Sequence, residues 1–413
     1  MKKLLLLCSV FIASAFSFSS FAQYPCTPER YSDEVFASVN ISSGITYGAA
    51  KNINNSTETL TLDVYEPAGD TASKRPLIIW GHGGSFVGGS KTDPDVVALC
   101  TRFAKRGYVC VSYNYRIGMG FPINQANASR AVYRATQDAK GVIRYFRKDA
   151  ATANAYKIDP GYVYLGGSSA GAFTALHLAY LDQASEIPSY LDTTGMGDIE
   201  GNSGSPGYSA EVNAIINLCG ALGSVSWMHA GDEPVCSMHG TIDGTVPYAT
   251  AIISVLGFPV MMVDGSHTVD SMATVLSLDH VFHTWQGADH VPYLSNTTYM
   301  DSTVEFVRDF LCGQNLKPST YVAPTAVNPI HEDDFSVRLC SNLTSSSFTL
   351  VNATSANIKV TLLDLSGRLL ATFQSADREV LFPTDGLAAG LYLLRMEGKG
   401  GVKTEKVVIA PRN

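Results

Sequence analysis

"YLGGSSAGAF", Tyr164 to Phe173, is the stretch on which the reading of this chain turns. An apolar run meets two adjacent serines at a glycine-lined corner and continues into small, helix-compatible residues. The spacing G-x-S-x-G is met by Gly167, Ser169 and Gly171. Ser168 does not meet it, because position 170 is Ala. A strand that turns sharply into a helix holds a serine at its tip in a strained conformation, and small neighbours let the backbones approach. The helix start also aims N–H groups and partial positive charge at that tip. Ser169 is therefore the candidate nucleophile. A plain glycine-rich strand-to-helix turn would carry the same letters, so the pattern needs partners elsewhere in the chain.

Upstream, "GHGGSF" (Gly81 to Phe86) follows the apolar run "PLIIW". Glycines after a strand let backbone N–H groups face a developing oxyanion rather than pair in a ladder. Gly83, Gly84 and Ser85 form this candidate loop. The Gly84 and Ser85 N–H groups are its expected donors, joined by the N–H of Ala170 just after the nucleophile. A serine hydroxyl also needs a base. In strand-to-helix nucleophile folds the partners follow in the order Ser, Asp or Glu, His. "PVCSMHGTIDGTVPY" places Asp243 in the loop at a strand's carboxyl end, where ligand-facing residues of open α/β sheets gather. Asp232, in "AGDEP", is the rival, and it precedes that strand. The last apolar run, "VFHTWQG", leads into "ADHVPY", which puts His290 just beyond it. His280 and His283 fall before or inside that run and read as structural. His239 reads as a satisfied structural histidine.

Between about Leu60 and Leu311, short apolar runs alternate with helix-like segments. "LTLDVYEP", "RPLIIWG", "YVCVSYNYR", "GYVYLGG", "VNAIINLCG", "PVCSMHG" and "HVFHTWQGA" read as strands. "VVALCTRFAKRG", "ASRAVYRATQDAKGVIRYFRKDA" and "AGAFTALHLAYLD" read as helices, the first ending near Gly107. This alternation predicts an α/β domain, a mostly parallel sheet with helices on both faces. Two segments break the rhythm. Residues 183–210 are rich in Gly, Ser and Pro, and a loop that long is usually functional or disordered. "GFPVMMVDGSH" (Gly257 to His267) is an apolar insertion that either covers a site or merely packs.

Residues 47–311 thus resemble the α/β-hydrolase family, in its carboxylesterase and lipase-like branch with an HGG loop. "HGGSF", "GGSSAG", "HGTIDGTVPY" and "GADH" carry the resemblance in the expected order; the combination is specific where each motif alone is not. Ser85 stands where many relatives have a third glycine, which leaves the backbone donors intact and narrows the expected acyl pocket. The resemblance implies that Ser169 attacks an ester carbonyl, that His290 relays the proton, and that Asp243 orients and stabilises the imidazole. It implies no metal and no organic cofactor. A prolyl-peptidase-like hydrolase shares the triad order, and a catalytically inactive fold serving as a surface binder is a third reading.

The rest of the chain bounds where such a protein works. Of 413 residues, 46% are hydrophobic and 16% charged, which argues against disorder, and the net charge of −8 gives no nucleic-acid footprint. Residues 1–22, with Lys2 and Lys3, an apolar run and Ser-Phe-Ala before Gln23, read as a signal peptide. The catalytic domain is expected over 23–316. After Cys8 is removed with the leader, Cys26, Cys100, Cys110, Cys219, Cys236, Cys312 and Cys340 remain, an odd set. The six before residue 317 allow 15 pairings, and none is spaced like a zinc site. Cys110, in "YVCVSY", reads as a buried free thiol.

Residues 317–335 are proline-bearing and aperiodic, as a linker is. Residues 336–413 are short alternating segments separated by turns, which predicts a small all-β sandwich. "KVTLLDLSGRLL", "GLAAGLYLLRM" and "KTEKVVIA" resemble the type A sorting domain of the type IX secretion system. That resemblance implies the secretion machinery as a partner and a secreted or cell-surface location. The expected substrate is an ester, either a small molecule or an acylated polymer.

Overall fold

The computed structural model describes residues 24–201, 203–317 and 321. Towards the C-terminus it describes 337–339, 343–344, 347–352, 357–364, 368–384, 386–398 and 401–410. The expected signal peptide, nearly all of the expected linker and Cys340 lie outside the described residues. The chain divides into two compact units, Met1–Ala323 and Pro324–Asn413.

In chain order the strands of the first unit are β1 (Val39–Lys51), β2 (Thr57–Pro67), β3 (Arg75–Gly81), β4 (Val109–Tyr113), β5 (Ile158–Ser168), β6 (Ala214–Leu218), β7 (Ala221–Leu222), β8 (Val235–Gly240), β9 (Thr250–Val255), β10 (Phe258–Gly265) and β11 (His280–Trp285). Its helices are α1 (Pro94–Ala104), α2 (Gln125–Ala151), α3 (Ala170–Tyr180), α4 (Ser266–Leu276) and α5 (Thr297–Gln314). Eight strands form one sheet in the order β1-β2-β4-β3-β5-β6-β8-β11. The β1–β2 and β2–β4 pairs are antiparallel, and every pair from β4–β3 to β8–β11 is parallel. This is the α/β-hydrolase architecture.

Local chemistry accounts for the elements. The β3 residues are buried throughout, as a central strand covered on both faces must be. Helix α1 opens on Pro94, whose missing N–H is no loss in a first turn. Helices α2 and α5 are capped by Asn124 and Asn296, whose side chains accept the N–H groups of Asn127 and Thr298. Residues of α2, α3 and α4 share one core cluster, and residues of α1 and α5 share the other, so the sheet is covered on both faces. Helix α3 is buried along its whole length.

The two irregular segments have definite structures. "GFPVMMVDGSH" is the second arm of a β9–β10 hairpin, which with β7 makes a separate three-stranded sheet, and it runs into α4. Residues 183–210 are pinned along α2. Gln137 donates to the Met196 and Asp198 carbonyls, Arg144 to those of Glu200 and Ser203, and Arg147 to that of Ser209. A disulfide joins Cys26 to Cys312 across 286 residues, while Cys100, Cys110, Cys219 and Cys236 are free and buried.

The second unit contains β12 (Val337–Leu339), β13 (Leu343–Thr344), β14 (Ser347–Asn352), β15 (Ile358–Leu363), β16 (Leu369–Ser375), β17 (Glu379–Pro383), β18 (Gly390–Gly398) and β19 (Gly401–Ile409). They form two sheets, β12-β14-β17 and β13-β19-β18-β15-β16. Phe348, Leu350 and Phe382 from one sheet and Val360, Leu394 and Val407 from the other share a single core, the arrangement of a sandwich.

Candidate active site

Strand β5 ends at Ser168 and α3 begins at Ala170, so Ser169 is the single residue of the corner. Its φ of 54° and ψ of −114° are strained for a residue with a Cβ. Close packing explains both flanking glycines. A Cβ on Gly167 would lie 2.1 Å from the Gly171 carbonyl carbon, and one on Gly171 would lie 2.1 Å from the Gly81 oxygen. The start of α3 therefore rests directly on the backbones of β5 and β3. The two serines part company here. Ser168 is 1% exposed, and its Oγ lies 2.7 Å from the Tyr293 hydroxyl. Ser169 Oγ lies 2.9 Å from His290 Nε2.

His290 sits beyond β11, and its Nδ1 is 2.6 Å from Asp243 Oδ2. Asp243, beyond β8, has a fully buried side chain with four donors around it. Thr245 and Val246 give their N–H groups to Oδ1, at 2.9 and 2.8 Å. His290 and His239 approach Oδ2, the latter with Nε2 at 3.1 Å. Burial opposes ionisation, but hydrogen bonds from His239, His290 and Val246 outweigh it and hold the carboxyl well below the usual carboxylate range. An ionised Asp243 accepts from Nδ1–H, which leaves Nε2 as the proton acceptor facing Ser169. His280 instead contacts Thr274 and the Leu278 carbonyl, and His283 packs on Trp285 and Phe306. Asp232 caps a turn at His229, in a polar depression with Glu233 at the opposite end of β8.

The glycine loop after β3 winds left-handed through Gly84, Ser85 and Phe86, with φ of 106°, 54° and 59°. Val87 and Gly88 N–H close this turn onto the Gly84 carbonyl. The N–H groups of Gly83, Gly84, Ser85 and Ala170 donate to no protein acceptor among the described residues. The carbonyls behind them are tied back, since the Tyr115 hydroxyl donates to His82 and Gly83 and the His82 ring donates to Gly83. A Cβ on Gly83 would stand 3.4 Å from the Ser169 Cβ, so this loop lies against the corner.

Four contributors escape a reading of the sequence. Tyr115 stacks on His82, ring centroids 4.2 Å apart. His239 is a second imidazole on Asp243. Asp289 Oδ1 accepts the Gly244 and His290 N–H groups, at 2.9 and 2.7 Å, and so ties the Asp243 loop to the His290 loop. Cys219, left-handed at φ 57°, lies fully buried just past β6. Burial pushes its thiol up, against backbone hydrogen bonds from Val291 and Gly240 that favour the thiolate. One signal was available for Asp289, its place beside the candidate base.

An apolar pocket opens from Ser169, with Phe86, Met119, Phe173, Val260 and Met261 in its walls. The β9–β10 hairpin therefore covers the site. A second pocket shares Val132, Phe173, Met261 and Val263 with the first and continues past His177, Tyr190 and Trp227. The His177 Nδ1–H donates to the Phe173 carbonyl at 2.7 Å, and burial lowers this imidazole to about 4, so it is neutral at pH 7.

The chain is similar to several known proteins. Residues 62–253 match the family model described as BD-FAE, and residues 342–410 match the secretion system C-terminal sorting domain. Carboxylesterase 3B of Mus musculus is 33% identical over 117 residues, which are 28% of this chain and 19% of that protein. Carboxylesterase 1D of Mus musculus is 32% identical over 121 residues, 29% of this chain and 20% of that protein. The chain thus matches about a fifth of the length of these curated relatives. Among solved structures, Thermogutta terrifontis esterase 2 phosphorylated by paraoxon is similar at 22% identity and a TM-score of 0.46, over 69% of this chain and 97% of that one.

Proposed function

We propose that the chain is a secreted serine carboxylic-ester hydrolase. The observation that carries this reading is the unbroken path from Ser169 Oγ through His290 to the buried Asp243, 2.9 and 2.6 Å. Ser169 attacks the ester carbonyl while His290 Nε2 takes its proton. Asp243 keeps the proton on Nδ1 and stabilises the imidazolium that forms. The oxyanion is received by the free N–H groups of Gly84, Ser85 and Ala170. His290 returns the proton to the departing alcohol, and water, deprotonated by the same imidazole, releases the acid. The acyl or alcohol group lies in the apolar pocket under the β9–β10 hairpin. The carboxylesterase relatives and the BD-FAE match support the same class of reaction.

A fluorophosphonate probe tests the central claim, because it labels only an activated serine. The expected result is one label on Ser169, lost in Ser169→Ala, together with turnover of p-nitrophenyl esters. An unlabelled, folded protein would leave a binding role instead. We further propose that residues 336–413 address the protein to type IX secretion, as the sorting-domain match supports. Removing the chain from Asn328 onward is expected to leave ester turnover unchanged and to strand the protein in the periplasm of its host. Normal secretion of the truncated protein, with weaker activity only on insoluble polymer, would make the tail a substrate-binding module.

A further inference from the structure

Three different ligand chemistries meet behind the candidate triad. A Cys219 sulfur, an Asp243 carboxylate oxygen and a His290 ring nitrogen lie within 4.8 Å of one another, and no other such group of His, Cys and carboxylate side chains exists among the described residues. We infer that these three residues form a binding site for a thiophilic divalent cation, Zn²⁺ or the softer Cd²⁺, and that occupation of this site switches the triad off.

The donor set is what selects the ion. Sulfur, imidazole nitrogen and carboxylate oxygen are the ligands Zn²⁺ takes, at about 2.3, 2.0 and 2.1 Å, whereas Ca²⁺ and Mg²⁺ take oxygen alone. A tetrahedron with those bond lengths spaces its ligand atoms roughly 3–4 Å apart, so the three atoms need only small adjustments. One is at the His290 Nδ1–Asp243 Oδ2 contact, now 2.6 Å, which must open to admit the ion. The thiol is supplied by backbone geometry. Cys219 follows β6 in the left-handed region, its N–H held by the Met238 carbonyl at 2.9 Å. The other free cysteines, Cys100, Cys110 and Cys236, are buried and belong to no such group of ligands among the described residues. The approach is from the His290 side, where the side chain is 15% exposed.

The step balances without a further reactant. Zn²⁺ displaces the Cys219 S–H proton to solvent and forms a Zn–S bond. At His290 the Nδ1 proton moves to Nε2 as Nδ1 becomes a ligand. Asp243 turns from hydrogen-bond acceptor to ligand. The nitrogen 2.9 Å from Ser169 Oγ then carries a proton and accepts none, so the serine has no base. This is an inhibitory site and not a cofactor site. Its effect on activity rests on the triad reading above; the binding itself does not.

Two measurements on the full chain separate those parts. In ester hydrolysis, Zn²⁺ and, at lower concentration, Cd²⁺ are expected to inhibit, with Ca²⁺ and Mg²⁺ inert. Cys219→Ala should raise the half-inhibitory Zn²⁺ concentration at least tenfold against its own metal-free rate, in line with the usual cost of losing a ligand contact. Equal sensitivity of Cys219→Ala and the parent overturns the proposal. Binding is read without activity by titrating the protein with Cd²⁺ and following the thiolate-to-cadmium charge-transfer absorption. One equivalent is expected, at least tenfold weaker in His290→Gln. This holds even if Cys219→Ala fails to fold or the chain proves to be no esterase. An absent band, or one unchanged in His290→Gln, places the metal elsewhere and overturns the site.

Discussion

The two sides of the candidate site are built by different means. On the Ser169 side, backbone rests on backbone: α3 sits on β5 and β3 at distances that no side chain could share. On the His290 side, two loops beyond β8 and β11 are joined by side chains. Asp289 bridges their N–H groups, and Asp243 gathers four donors. The first side is held by sterics, which tolerate almost no substitution. The second is held by hydrogen bonds worth about 1 kcal/mol each, which degrade gradually. On the mechanism proposed above, packing holds the strained backbone of the nucleophile, and hydrogen-bonded loops hold the base.

That contrast can be broken from either side. Ser169→Ala should cost on the order of a millionfold in turnover. Asp243→Asn should cost roughly 10⁴-fold through the wrong imidazole tautomer, with His290→Ala nearly inactive. If either of these two variants kept substantial turnover, the path of hydrogen bonds would not be the catalytic one. Gly171→Ala drives a Cβ to 2.1 Å from the Gly81 oxygen. It is expected to destabilise the fold by about 3 kcal/mol in thermal unfolding. Gly287→Ala, in the loop before His290, has open space around the added atom and only the left-handed backbone to strain, φ 68°. It should cost about 1 kcal/mol. Comparable losses from the two glycines would erase the steric distinction. Asp289→Ala should fold normally and lose about tenfold in kcat at constant KM, with a shifted pH–rate profile, because it acts only by placing the base. Ser168→Ala removes the contact with Tyr293 and should cost about 1 kcal/mol of stability with turnover intact.

The same contrast explains what could be read from the sequence. Steric demands leave letters behind: Gly167, Gly171 and Gly84 are where close approach or a positive φ requires them. Ser169, Asp243 and His290 were singled out by order and by position at strand ends, and the fold brings those three together. Hydrogen-bonded supports leave no such trace. Asp289 is marked only by its place beside His290, while His239 looks like a core histidine and Cys219 like a small apolar residue at a strand end. The β9–β10 hairpin was illegible for another reason. Pro259 and a register shift between Pro259 and Met261 break the alternation that marks a strand. Helix α4 then starts at Ser266, and its N-cap residue Gly265 has no side chain to announce it. The Cys26–Cys312 pairing joins residues that only the finished fold brings near.

That disulfide has a mechanical consequence. Tyr24 N–H donates to the Asn315 carbonyl at 3.0 Å, so the described start of the first unit and the end of α5 lie side by side. The covalent bridge at Cys26 and Cys312 makes the intervening 286-residue separation a closed ring. A pull applied between Tyr24 and Lys317 runs along one short chain segment, through sulfur, and out along another. The sheet is joined to that route by hydrogen bonds, among them those from the Tyr24 hydroxyl to Asp159 and from the Tyr162 hydroxyl to the Lys317 carbonyl, with Asp159 and Tyr162 both on β5. Tension between the two ends of the first unit is carried mainly by that covalent bond, and the strands that precede Ser169, Asp243 and His290 take up the load only when the disulfide is reduced.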